Sequence, residues 1–120
     1  MKIAVIGSRN GTISNLEQFL PEEVTEIVSG GAKGIDTCAK EYAVKNGIKF
    51  TEFFPEYKKY GKSAPLKRNL QIIEYADCVV AFWDGHSRGT HYVIEQCKKQ
   101  NKKVTVYLLP PSLESMCSIF

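Results

Sequence analysis

The sequence predicts an α/β fold: one Rossmann-like, three-layer domain, with a mostly parallel sheet of about five strands and helices on both faces. Three observations lead there. Short β-branched runs alternate with segments of helical period along the chain. Most of those runs, such as Cys78–Trp83 (CVVAFW), are apolar throughout, as strands covered on both faces are. Small, polar, glycine-bearing loops follow several of the strands, where strand gives way to helix. The 120 residues, 43% of them hydrophobic, suffice for one core and no more.

Residues 2–6 (KIAVI) read as a buried strand ending in a tight turn at Gly7. Ser14 is placed to cap a short helix over 15–20, which Pro21 ends. Residues 25–29 form the second strand. From Ile35 to Asn46 the residues Ile35, Cys38, Ala39, Tyr42 and Ala43 repeat at helical spacing, and Gly47 stands where a helix-ending glycine belongs. Residues 48–54 are the third strand, closed by Pro55. The polar stretch 55–65 reads as a loop, and a helix follows from Leu66 to Tyr75. After the fourth strand, 78–83, comes a loop over 84–90 and a helix over 91–100. Residues 104–109 form the fifth strand, stopped by Pro110 and Pro111. The expected organisation is a nucleotide-binding domain over 1–109 and a C-terminal tail over 110–120.

Composition excludes several classes. The net charge of +3 is mildly basic, compatible with an anionic ligand without demanding nucleic acid. No apolar run is long enough to span a membrane, and the N-terminus lacks the pattern of a signal peptide. The four cysteines form no CxxC pair, so a reduced, cytoplasmic protein is expected rather than a disulfide or zinc scaffold. His86 and His91 have no partner at metal-ligand spacing, so no metal or other cofactor is expected.

In an open parallel sheet, ligands bind beyond the carboxyl ends of the strands. Three loops fall there: Gly7, Ser8 and Arg9 after the first strand; Ser29, Gly30, Gly31, Lys33, Gly34 and Asp36 after the second; Asp84, Ser87, Gly89 and Thr90 after the fourth. Helix N-termini carry about half a positive charge and unpaired N–H groups, and glycine lets a phosphate approach them closely. Arg9, Lys33 and Arg68 add charge, and Asn69 and Asp36 are suited to orient a loop or a ribose. The first loop, GSRNGT, lacks the G-x-G-x-x-G dinucleotide fingerprint, and the Walker pattern is absent, which disfavours nicotinamide enzymes and P-loop nucleotidases. Trp83, Tyr57 and Tyr60 are each either core or a platform for a base.

The segments IGSR (6–9), SGGAKGID (29–36), FFPEYKKYGKSAPLKRN (53–69) and AFWDGHSRGT (81–90), in this order, resemble the SLOG superfamily in its YspA-type, cpYpsA-related branch. The resemblance covers about residues 1–107. It implies a Rossmann-like fold and a nucleotide or nucleotide-derived ligand. The DprA family, which binds single-stranded DNA, is similar at residues 29–36, at Arg68-Asn69 and at 87–90. The Lonely Guy phosphoribohydrolases share a GGxGT loop with a glutamate three residues on. Here that position is Val93, and Glu95 lies about 200° further around a helix.

The leading expectation is therefore a small binding module for a nucleotide-like, phosphate-bearing molecule. Two others stand beside it. One is a nucleotide-cleaving enzyme, for which Asp84, Asp36 and Glu95 are the carboxylates to nominate. The other is single-stranded DNA binding through residues 57–68, where Lys58, Lys59, Lys62, Lys67 and Arg68 cluster near Tyr57 and Tyr60. A homodimer is a further expectation, since symmetric dimers are the commonest oligomers.

Overall fold

A computed structural model describes residues 1–8, 13, 16–30 and 34–109. Expectations that concern Arg9, Ser14, Gly31, Lys33 and the segment 110–120 lie outside the described residues.

Five strands form one sheet in the order β3-β2-β1-β4-β5, and every neighbouring pair is parallel. They are β1 (Lys2–Gly7), β2 (Glu26–Ser29), β3 (Lys49–Glu52), β4 (Cys78–Trp83) and β5 (Val104–Leu108). A 3-10 turn, Leu16–Phe19, and helix α1 (Ile35–Lys45) connect the first three strands. Helix α2 (Tyr57–Tyr60), a 3-10 turn (Gly61–Ser63) and helix α3 (Ala64–Tyr75) lead to β4, and α4 (Arg88–Lys99) leads to β5.

The residues alternate along each strand between two cores. Ala4, Ile6, Val28, Val79 and Ala81 pack with Ile72, Ile73, Val93, Ile94 and Cys97 of α3 and α4. Ile3, Val5, Ile27, Val80 and Phe82 pack on the other face, with Leu16 and with Ile35, Ala39 and Ala43 of α1. This is the three-layer α/β architecture that the alternating pattern predicts. The apolar stripe of α1 faces the sheet as its period requires. Its end is a Schellman turn: Gly47 N–H donates to Val44 O at 3.4 Å and Ile48 N–H to Ala43 O at 2.9 Å, with Gly47 at φ +66°.

Four details differ from expectation. Residues 57–63 are helical rather than loop, because Tyr60 N–H closes a turn on Glu56 O at 3.0 Å and Ser63 Oγ–H donates to Tyr60 O at 2.8 Å. Helix α4 starts at Arg88, so the loop after β4 covers only 84–87; Ser87 is its N-cap, a role its residue type favours. Where a helix is expected over 15–20, the described residues form a 3-10 turn at Leu16–Phe19. The edge strands β3 and β5 are only partly buried, because each has a neighbour on one side alone. No helix among the described residues is long and apolar enough to cross a membrane.

Candidate functional site

The strand order reverses direction between β1 and β4: β2 and β3 continue to one side of β1, β5 to the other. The connecting helices diverge there to opposite faces, which opens a crevice at the carboxyl ends of the strands. The cleft found at that edge has a volume of about 180 Å³. Gly7, Gly30, Asp36, Arg68, Asn69, Ser87, Gly89 and Thr90 line it, all of them singled out from the sequence. Ile6, Pro65, Leu66, Ile72 and Val93 complete the wall. Those five were missed because an apolar residue at helical or strand spacing reads as core, and only the fold turns one side of it toward a cleft.

Each polar element is fixed by local chemistry. Ser8 is buried and joins the two central strand ends: its N–H donates to Phe82 O at 3.0 Å, and its Oγ accepts from Asp84 N–H at 3.1 Å. Gly7 admits no side chain, since a Cβ there would lie 2.5 Å from Ile35 Cγ1. This contact seats the start of α1 on the end of β1. Gly34, at φ +76°, turns the chain into α1 in a conformation that L side chains rarely adopt, and Asp36 follows in the first turn, buried. Ser29 is fully buried, and its hydroxyl has no hydrogen bond among the described residues; it is not part of the cleft wall.

Arg68 reaches across from α3. Its Nη1 donates to Gly30 O at 2.7 Å and its Nε to Asn69 Oδ1 at 2.8 Å. A Cβ on Gly30 would come within 2.9 Å of that Nη1, so the guanidinium lies directly on the Gly30 backbone. The side chain thus ties α3 to the loop after β2 and brings a permanent positive charge to the cleft.

The loop after β4 is built around two caps. Asp84 Oδ1 accepts from His86 N–H at 2.8 Å and from Ser87 N–H at 2.7 Å, and these two bonds hold the carboxyl below the ordinary carboxylate range. Ser87 Oγ accepts from Thr90 N–H at 3.5 Å. The first intrahelical bond runs from His91 N–H to Ser87 O. That leaves the N–H groups of Arg88 and Gly89 without a hydrogen bond among the described residues, at the positive end of a three-turn helix. Gly89 lines the cleft, has no positive φ, and a Cβ added there would meet nothing within 4 Å.

The nominated carboxylates do not converge. Asp36 is the single acid among the described cleft-lining residues. Asp84 is occupied by the two backbone N–H groups, and a carboxyl held so low is a poor proton donor near neutral pH. Glu95 lines a separate groove, where its Oε1 lies 3.6 Å from His91 Nε2 and 3.8 Å from Lys98 Nζ. No cysteine is among the described cleft-lining residues: burial pushes the Cys97 thiol up to about 11, and it sits in the core beneath α4. Among the described residues no group of three His, Cys, Asp or Glu side chains could hold a metal ion.

Beside the cleft, Phe54, Tyr57 and Leu66 are exposed, in a stretch that also carries exposed Lys58, Lys59, Lys62 and Lys67. In comparison with known families, residues 1–53 match the family model of DNA recombination-mediator protein A. The match supports a relation to the DprA-related superfamily. It takes in β1, β2, α1 and β3, with the cleft residues Gly7, Gly30 and Asp36, and stops before Arg68 and α4. No curated protein and no solved structure matches the chain.

Proposed function

We propose that this protein binds a nucleotide or a nucleotide-derived, phosphate-bearing molecule in the cleft between β1 and β4. The phosphate is held by the Arg88 and Gly89 N–H groups with Arg68 opposite, and Asp36 and Asn69 orient the sugar. Gly89 carries this reading. Within a helix, glycine destabilises by up to about 1 kcal/mol relative to alanine. Neither backbone conformation nor packing calls for it at this position, since there is room for a side chain. The benefit that remains is access to the helix end, which a phosphate oxygen needs. The cleft is smaller than the ~300 Å³ at which drug-sized sites begin, which suits a phosphate and sugar rather than a whole dinucleotide.

A thermal-shift series with mono-, di- and cyclic nucleotides, nucleotide sugars and short oligonucleotides tests it. A ligand at 100 times its Kd should stabilise the fold by about 2.7 kcal/mol, a shift of several degrees. Gly89→Ala should melt no lower than the parent and yet lose most of the shift, as should Arg68→Ala. An undiminished shift in Gly89→Ala overturns the assignment.

Single-stranded DNA binding is a second reading. It is favoured by the exposed Phe54 and Tyr57 among lysines and by the similarity to the recombination-mediator family over residues 1–53. Stacking on aromatic rings within a basic surface is how such proteins hold a strand. A shift given by oligonucleotides alone, falling steeply with salt, would select it over the mononucleotide reading. Cleavage of the ligand has weaker support, because Asp36 is the one acid among the described cleft-lining residues.

A further inference from the structure

The N-terminal turn of α4 separates two hollows that meet at Ser87. One is the 180 Å³ cleft. The other is a groove of about 600 Å³, lined by Trp83, His86, Ser87, Arg88, His91, Tyr92, Glu95, Gln96 and Lys99. Its floor is aromatic. Trp83 is anchored at its polar edge, where Nε1–H donates to Ser87 O at 3.0 Å, and its ring packs partly into the core. The His91 ring lies over it, with centroids 5.4 Å apart and planes inclined by 30°, and the His91 side chain is 54% exposed. Both residues line the groove. Arg88 and Lys99 stand at its ends, about 16 Å apart along the helix axis.

We infer that this groove is the base subsite of the same ligand, an inference that rests on the phosphate reading above. The observations meet in three ways. At about 180 Å³ the cleft is below the ~300 Å³ at which drug-sized sites begin, so it does not enclose a phosphate, a ribose and a base together. Ser87 borders both hollows, and at the neighbouring Gly89 a Cβ would meet nothing within 4 Å. Beyond Ser87 lies the tilted Trp83–His91 pair, and an aromatic face binds a base whatever its hydrogen-bonding edge. The ligand class is thus a nucleoside phosphate that straddles the first turn of α4, phosphate on the cleft side and base against His91. A sugar phosphate or a free nucleoside fills only half of the site.

Trp83 is the sole tryptophan of the chain, so its emission reports the groove directly. The experiment compares ribose 5-phosphate with the 5′-mononucleotides by calorimetry and Trp83 fluorescence, in the full chain and in His91→Ala. Nucleotides should bind on the order of tenfold tighter than ribose 5-phosphate, as expected for one stacked base, and should change Trp83 emission, which ribose 5-phosphate should not. His91→Ala should erase the difference while leaving ribose 5-phosphate affinity as it was. His91 is exposed, and a melting curve of the variant checks that it folds. Equal affinities for ribose 5-phosphate and nucleotides in the parent, with unchanged emission, overturn the base subsite while the phosphate site stands. Binding of neither removes the phosphate site and this inference with it.

Discussion

A methyl group on Gly7 would land 2.5–2.8 Å from three side-chain atoms of Ile35, which is itself fully buried. One on Gly89 would meet open space. Two glycines of one cleft thus differ: the first lets α1 pack onto β1, while the second stands in open space at the start of α4. Gly7→Ala should destabilise by about 1–3 kcal/mol in urea unfolding, as overpacking of a close-packed core does. Gly30 is intermediate. Its added Cβ would press on the Arg68 guanidinium, the mobile end of a long side chain, so Gly30→Ala should disturb binding more than folding.

At the scale of the element, α4 unites the cleft and the groove, and its start is the best-organised turn of the site. Asp84 holds the two N–H groups that precede the helix, Ser87 caps it, and the Ser87 carbonyl anchors Trp83. Ser87→Ala removes the acceptor for Thr90 N–H and should cost about 0.5–2 kcal/mol, measured by chemical denaturation. Trp83 emission should change little in this variant, because its partner is the backbone carbonyl. Helix α3 plays a different part. It carries Arg68 on one side to Gly30 and buries Ile72 and Ile73 on another, so a single amphipathic helix supplies both core and charge.

Across the whole molecule, the candidate site and a buried carboxylate cluster lie at opposite ends of the sheet. The carboxyl edge carries the cleft. The amino edge carries a buried Glu26, which accepts from Thr51 Oγ at 2.6 Å and from Tyr75 OH at 2.5 Å and lies 3.6 Å from Lys49 Nζ. Burial alone would raise its pKa, but the two hydroxyls and the Lys49 ammonium outweigh that and hold the carboxyl below its ordinary 4.5. Asp77 at the same edge is also lowered, chiefly by the Lys2 N–H at 2.7 Å. Groups with a depressed folded-state pKa stabilise the fold above their unfolded value, and that stability is lost as pH falls through the folded value. The melting temperature should therefore hold from neutrality to near pH 5 and drop as acid is added below it. Glu26→Gln should lower stability by about 1–3 kcal/mol at neutral pH and flatten the acid limb. An acid limb as steep as the parent's would show that Glu26 is not its source.

Much of this was legible in the chain itself. The alternation of apolar runs with helical stripes determined the layers, the parallel strands and the glycine end of α1 at Gly47, because those depend on side-chain period and local backbone conformation. The small polar residues of the loops already marked one edge of the sheet. Tertiary structure alone decided the rest. It set the strand order that opens a crevice between β1 and β4. It turned Gly7 into a packing contact and left Gly89 without one. It joined Arg68 to Gly30, 38 residues apart, and placed Glu95 with His91 instead of Asp36. Those outcomes depend on which residues meet across the fold, and spacing along a chain cannot reveal a distance through space.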